Sequence, residues 1–278
     1  MSQSSPVCCN PKAYRLMKRV ASRCESGASL VEGALAIALH ELPETDPAKI
    51  ISGLDELGQQ VVRRVRGPQI QARIAHLHEL LFVELGFIGN SLNYHDPSNS
   101  YLPAILESRR GLPITLSLIY RTVGMRAGLD IHGLGLPGHF CAGVVTPEGL
   151  MLVDPFYSGR VLNRDEAVQR ISDTYGPEIE WSDDLLNPVT NRHWLTRMMQ
   201  NLIHTFTERD RMEDVAAMLE MELLLWPDQA QLRRDLGLVL ARAGHTAEAG
   251  RFLAEYLHTN PQDPQREELE QLLDVLAR

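Results

Sequence analysis

Residues 109–160 read RRGLPITLSLIYRTVGMRAGLDIHGLGLPGHFCAGVVTPEGLMLVDPFYSGR, and their hydrophobic period changes midway. Over 114–127, Leu116, Ile119, Tyr120 and Val123 recur at helical steps, which predicts a helix with these residues on its buried side. Pro113 suits the first turn of that helix, where a missing N–H costs nothing. After Gly128 the pattern turns to strands, over 129–136, 139–145 and 150–154. The last two are joined by Thr146-Pro147-Glu148-Gly149, read as a four-residue turn. A helical first half feeding a small antiparallel sheet is an α+β fold.

Upstream of this stretch the chain reads as helices. Residues 29–41 (SLVEGALAIALHE) form an apolar helix with Ser29 and Glu32 spaced as a capping box. A second helix opens at Asp46 or Pro47 and runs to about 66, and a third covers 70–85. The polar loop GNSLNYHDPSNS leads to a short helix over 101–109. From Asn191 onward the pattern is helical and repetitive. Pro227 and Pro261 lie 34 positions apart, and Leu219/Leu253 and Leu223/Leu257 share that interval. This is the period of tetratricopeptide-like helix pairs, and two copies make an array that needs support from the rest of the chain. The expected organisation is a tail and leading helix over 1–28, an α+β domain over 29–185 and helical repeats over 190–278.

The 278 residues carry 36 acidic and 27 basic side chains, a net charge of -9, which disfavours nucleic acid as a general partner. Cys8, Cys9, Cys24 and Cys141 show no regular disulfide or zinc-ligand spacing, so no metal or other cofactor is expected and a reducing cytoplasm is the simplest location. No apolar run reaches membrane-spanning length. His76, His78 and Glu79 do not form an HExxH pattern and read as solvated.

With Val145 paired to Leu150, Cys141 falls opposite Asp154, and His139 lies two residues along the same face. His139 and Asp154 are then diagonal neighbours, roughly 7–8 Å apart at Cα. Such a carboxylate can orient an imidazole and stabilise its charged form, as in a catalytic triad. It can equally be a buried hydrogen bond that braces the hairpin.

The blocks RRGLPITLSLIYRTVGMRAGL, GLGLPGHF and LVDPF resemble the core of the transglutaminase-like superfamily. FVELGFIGNSLNYHDPSNSYLPAILESRRGLPITLS, NRHWLTRMMQNL and RRDLGLVLARAG are similar to SirB-type bacterial proteins, which join such a core to a tetratricopeptide tail. The resemblance implies a papain-type core in which a helix opens on a catalytic Cys, one strand carries a His and the next an Asp followed by Pro. Carried over by position, His139 and Asp154 match, but Pro113 stands at the cysteine position and has no nucleophilic atom. Thr115, Ser117 and Cys141 are the available substitutes. Asn99, Arg110 and Phe156 are candidate lining residues of the same cleft. The expected function is a protein- or peptide-binding scaffold acting through the repeat tail. The alternative is a hydrolase or acyl transferase using His139 and Asp154 with a non-standard nucleophile or water.

Overall fold

The structure is a computed structural model that describes residues 5–24, 29–67, 69–175 and 181–277. In chain order its helices are α1 (Pro11–Ala21), α2 (Ser29–Ala38), α3 (Pro47–Arg64), α4 (Ile70–His78), α5 (Leu102–Ser108), α6 (Pro113–Arg126), α7 (Arg164–Tyr175), α8 (Asn191–Glu208), α9 (Met212–Leu225), α10 (Ala230–Arg242), α11 (Thr246–Thr259) and α12 (Arg266–Leu276). The strands are β1 (Ile88–Gly89), β2 (Arg110–Gly111), β3 (Ile131–Leu134), β4 (Cys141–Thr146), β5 (Gly149–Asp154) and β6 (Arg160–Leu162). Contacts divide the chain into two compact units, one of residues 45–194 and one made of both chain ends, up to Glu44 and from Leu195 onward.

In the central unit, Asp46 caps α3 by accepting the Ala48 N–H, and Pro47 takes the first turn. The helix expected over 70–85 is α4 followed by a π-helical stretch, Glu79–Glu84. There the His78 ring lies against Phe82 and Tyr120, and its Nε2 is 2.8 Å from the Tyr120 hydroxyl. His78 is therefore half-buried rather than solvated, because its ring packs on Phe82 and on Tyr120 of α6. Helix α6 is buried on nearly every side, from Pro113 to Gly124. It packs on α3, α4, β3 and β4 and is the core element of the unit.

The four-stranded sheet runs β3-β4-β5-β6, antiparallel throughout, and β1 pairs with β2 in parallel. Val145 faces Leu150 as expected. Thr146 also pairs with Gly149, so only Pro147 and Glu148 lie between the strands, a tighter turn than the four residues expected. Strand β3 is covered on its open side by the 188–189 segment, with the Val189 N–H donating to the Gly133 carbonyl at 2.9 Å. Gly133 lies under the Trp194 ring, which in turn packs on Phe140 at 4.5 Å between centroids.

The other unit joins α1 and α2 to the helices from 195 onward. Helix α2 begins at Ser29, whose hydroxyl donates to the Cys24 carbonyl, and Glu32 pairs with Arg23. Ser29 is thus inside the helix and not the capping residue expected. Every α2 residue except Glu32 is buried, with Gly33 against Leu195. Helix α1 packs on both α2 and α9. Residues 29–44 therefore group with the repeats and not with the α+β unit, so the sequence boundaries near 28 and 185–190 do not coincide with the packing boundaries. Leu219 and Leu253, matched by the 34-residue interval, are both buried. Among the described residues no helix is long and apolar enough to cross a membrane.

Candidate functional site

The loop before β4 turns at Gly138, which has φ 65, and the His139 N–H donates to the Leu136 carbonyl at 3.2 Å. His139 is thus just ahead of β4 rather than inside a strand over 139–145. It still reaches the end of β5. Its Nε2 lies 2.9 Å from Asp154 Oδ2. Asp154 is fully buried, and its Oδ1 accepts the Phe156 N–H at 3.1 Å in the turn that Pro155 opens. An ionised carboxylate can only accept, so the imidazole donates from Nε2. Base chemistry by this ring would fall to Nδ1.

Two residues absent from the sequence reading complete the surroundings. Arg170 on α7 brings its Nε to 3.4 Å from Asp154 Oδ2, and its guanidinium lies 3.8 Å from the Tyr157 ring centroid. Tyr157 and Phe156 flank His139 at 6.4 and 6.3 Å between centroids. The only sequence hint of these groups was the aromatic pair directly after Asp-Pro; Arg170 reaches the site because α7 folds back on β6.

Pro113 occupies the first turn of α6 and is buried. Thr115 Oγ1 donates to the Asn99 carbonyl at 2.8 Å and accepts the Leu112 N–H at 3.0 Å, which fastens the start of the helix. Ser117 Oγ donates to the Phe140 carbonyl at 3.5 Å and is fully buried. Cys141 is enclosed with Leu134, Leu136, Leu152, Leu162, Ala167 and Ile171. Burial and then the charge of Asp154 push its thiol well above the usual range, with Arg170 opposing. A thiol held in this way is not a ready nucleophile.

Of the three candidate lining residues, Phe156 stands at His139, held beneath Gly89. Asn99 is buried and turned into its own loop. Its Nδ2 donates to the carbonyls of Asn93 and Tyr94 at 2.6 and 3.1 Å, and its Oδ1 accepts from Asn90 at 2.9 Å. Arg110 is exposed on β2, opposite Ile88.

Sequence comparison agrees with this architecture. The pattern of the transglutaminase-like superfamily matches residues 48–200, and that of a tetratricopeptide repeat matches 202–274. A UPF0162 protein of Xylella fastidiosa (strain 9a5c) is 33% identical over 242 residues, covering 84% of each chain. A UPF0162 protein of Pseudomonas aeruginosa is 27% identical over 224 residues, 81% of this chain and 77% of the relative. The F-box only protein 21 of Mus musculus is 29% identical over 171 residues, 56% of this chain but 26% of that protein. No solved structure matches the chain.

Proposed function

The chain belongs to the transglutaminase-like superfamily and to the UPF0162 proteins, and from that premise we propose that it is a protein-binding scaffold whose central cleft has given up thiol catalysis. The observation that carries this reading is that α6 opens on Pro113, the position that the family resemblance gives to the nucleophile. It is supported by the engagement of Thr115 and Ser117 with backbone carbonyls and by the high thiol pKa of Cys141. Tetratricopeptide arrays offer extended surfaces to protein partners, so the partner is a protein or peptide held by the repeat helices. The four cysteines, which lack disulfide or zinc-ligand spacing, favour a reducing compartment such as the cytoplasm, and the net charge of -9 argues against nucleic acid.

Photo-crosslinking from exposed repeat positions followed by affinity measurement with the captured protein tests this. His139→Ala and Asp154→Asn should bind within about twofold of wild type, whereas joint charge reversal at Arg242 and Arg251, which are exposed on the repeat helices α10 and α11, should weaken binding at least tenfold, on the order of 1.4 kcal/mol.

The preserved 2.9 Å bond between His139 and Asp154 favours a second reading, a hydrolase or acyl transferase that uses His139 with water. Failure of folded, partner-binding His139→Ala protein to complement a deletion would replace the scaffold reading with this one.

A further inference from the structure

The scaffold reading gives Cys141 no task, yet its thiol faces two other ligand-type groups. A His139 ring nitrogen, Cys141 Sγ and an Asp154 carboxylate oxygen all lie within 4.8 Å of one another, and Nε2 is the ring nitrogen that meets Asp154. The Ala142–Val153 pair fixes this convergence, because it sets the start of β4 beside the end of β5. Cys141 and Asp154 are fully buried, and the His139 side chain is 10% exposed. We propose that His139, Cys141 and Asp154 form a zinc site with one open coordination position at the His139 edge. The inference goes beyond the scaffold reading and does not depend on it.

The donor set of nitrogen, sulfur and oxygen is that of zinc, not of calcium or magnesium, which take oxygen ligands. Zinc bonds of about 2.0 Å to nitrogen or oxygen and 2.3 Å to sulfur place tetrahedral ligands roughly 3.3–3.7 Å apart. Side-chain adjustment of roughly 1 Å brings all three into that range. Three protein ligands and a fourth, exchangeable position are the arrangement of catalytic rather than structural zinc.

The charges also close. Without an ion, Cys141 must stay protonated beside a buried carboxylate. With zinc bound, its two positive charges balance one thiolate and one carboxylate, and Arg170 remains an outer partner of Asp154. On binding, the Cys141 thiol releases its proton to solvent. The imidazole proton moves from Nε2 to Nδ1, the hydrated ion sheds water to solvent in exchange for three bonds to the protein, and the His139–Asp154 hydrogen bond is lost. The balance is one proton released per zinc, with no oxidation or reduction. A water in the fourth position would have its own pKa lowered towards neutrality, a nucleophile that does not need residue 113.

The test uses the full-length protein, reduced and stripped with chelator, titrated with Zn(II) by calorimetry and with Co(II) by absorption. The expected result is one ion per chain, one proton released as read from buffers of different ionisation enthalpy, and a thiolate-to-cobalt charge-transfer band. Cys141→Ser should abolish the band and weaken Zn(II) binding at least tenfold. His139→Gln, which keeps a polar side chain near Asp154, should weaken it likewise and decides the matter should Cys141→Ser fail to fold. Absence of stoichiometric binding overturns the proposal. So does a band that survives in Cys141→Ser, which would place the ion at another thiol such as Cys8.

Discussion

The imidazole of His78 packs edge-on against both Phe82 and Tyr120, and burial pulls its pKa down from 6.5 to about 4. The folded value lies below the unfolded one, so between them the unfolded chain binds more protons. The stabilisation is complete at pH 7 and is lost as pH falls from about 6.5 towards 4. Its size is on the order of 2–3 kcal/mol. Denaturant unfolding at pH 7 and pH 4.5 should show this loss in wild type, and His78→Gln should remove much of it. An unchanged pH slope in His78→Gln would mean the ring is hydrated in the folded state. The same residue marks a limit of reading sequence: the spacing of His76 and His78 says which helix face each takes, but not that α4 packs so that one of them meets Tyr120 on α6. Asn99 is the complementary case. An Asn-rich loop looks like a ready source of cleft groups, yet its amide is consumed by the carbonyls of its own loop.

At the scale of elements, the pairing of His139 with Asp154 was legible because a hairpin's register follows from its turn and a period of two. The extra Thr146–Gly149 pair tightened the turn without shifting that register, so the diagonal relation survived. Arg170 was not legible, because its place depends on how α7 returns over the sheet, which no local pattern encodes. The same holds for the packing of α1 on α2 and α9. The apolar character of 29–41 was evident in the sequence, but not the surface it would meet. The sheet's own anchor is the contact of Gly133 with Trp194. A Cβ at Gly133 would lie 2.0 Å from the Trp194 ring, against a strand already bonded to the 188–189 segment. Gly133→Ala should therefore destabilise the central unit by about 1–3 kcal/mol, through displacement of the Trp194 ring from Phe140. Urea unfolding followed by fluorescence in a Trp181→Phe, Trp226→Phe background, which leaves Trp194 as the emitter, reads this directly, and a midpoint equal to that of the background protein would show that the ring can yield freely.

At the scale of the whole molecule, the chain's two ends form a single unit, and one carboxylate ties them together. Buried Glu220 on α9 accepts three successive backbone N–H groups, from Val7 at 2.5 Å, Cys8 at 3.1 Å and Cys9 at 2.7 Å. Next along the segment, the Asn10 N–H donates to His40 Nδ1 at 3.3 Å, and His40 Nε2 meets Asp214 at 2.8 Å. Burial and the acidic neighbours Glu220, Glu213, Asp214 and Glu248 hold the Cys8 thiol up at about 12. At pH 8 its thiolate fraction is then roughly a thousandfold below that of a thiol near 9, and alkylation, which needs the thiolate, is correspondingly slow. Glu220→Gln keeps the size of the side chain but replaces a charged acceptor of three N–H groups with an amide that has one acceptor oxygen and two donor hydrogens. The segment should detach, Cys8 should become alkylated at least tenfold faster in peptide mapping, and the unit should lose about 3 kcal/mol, because hydrogen bonds to a buried charge are the costly ones to lose. Since α1 continues directly from this segment, removing residues 1–10 should destabilise the repeat helices by a comparable free energy, about 3 kcal/mol. Cys8 labelling in Glu220→Gln at the wild-type rate would mean that the contact does not hold the two ends together.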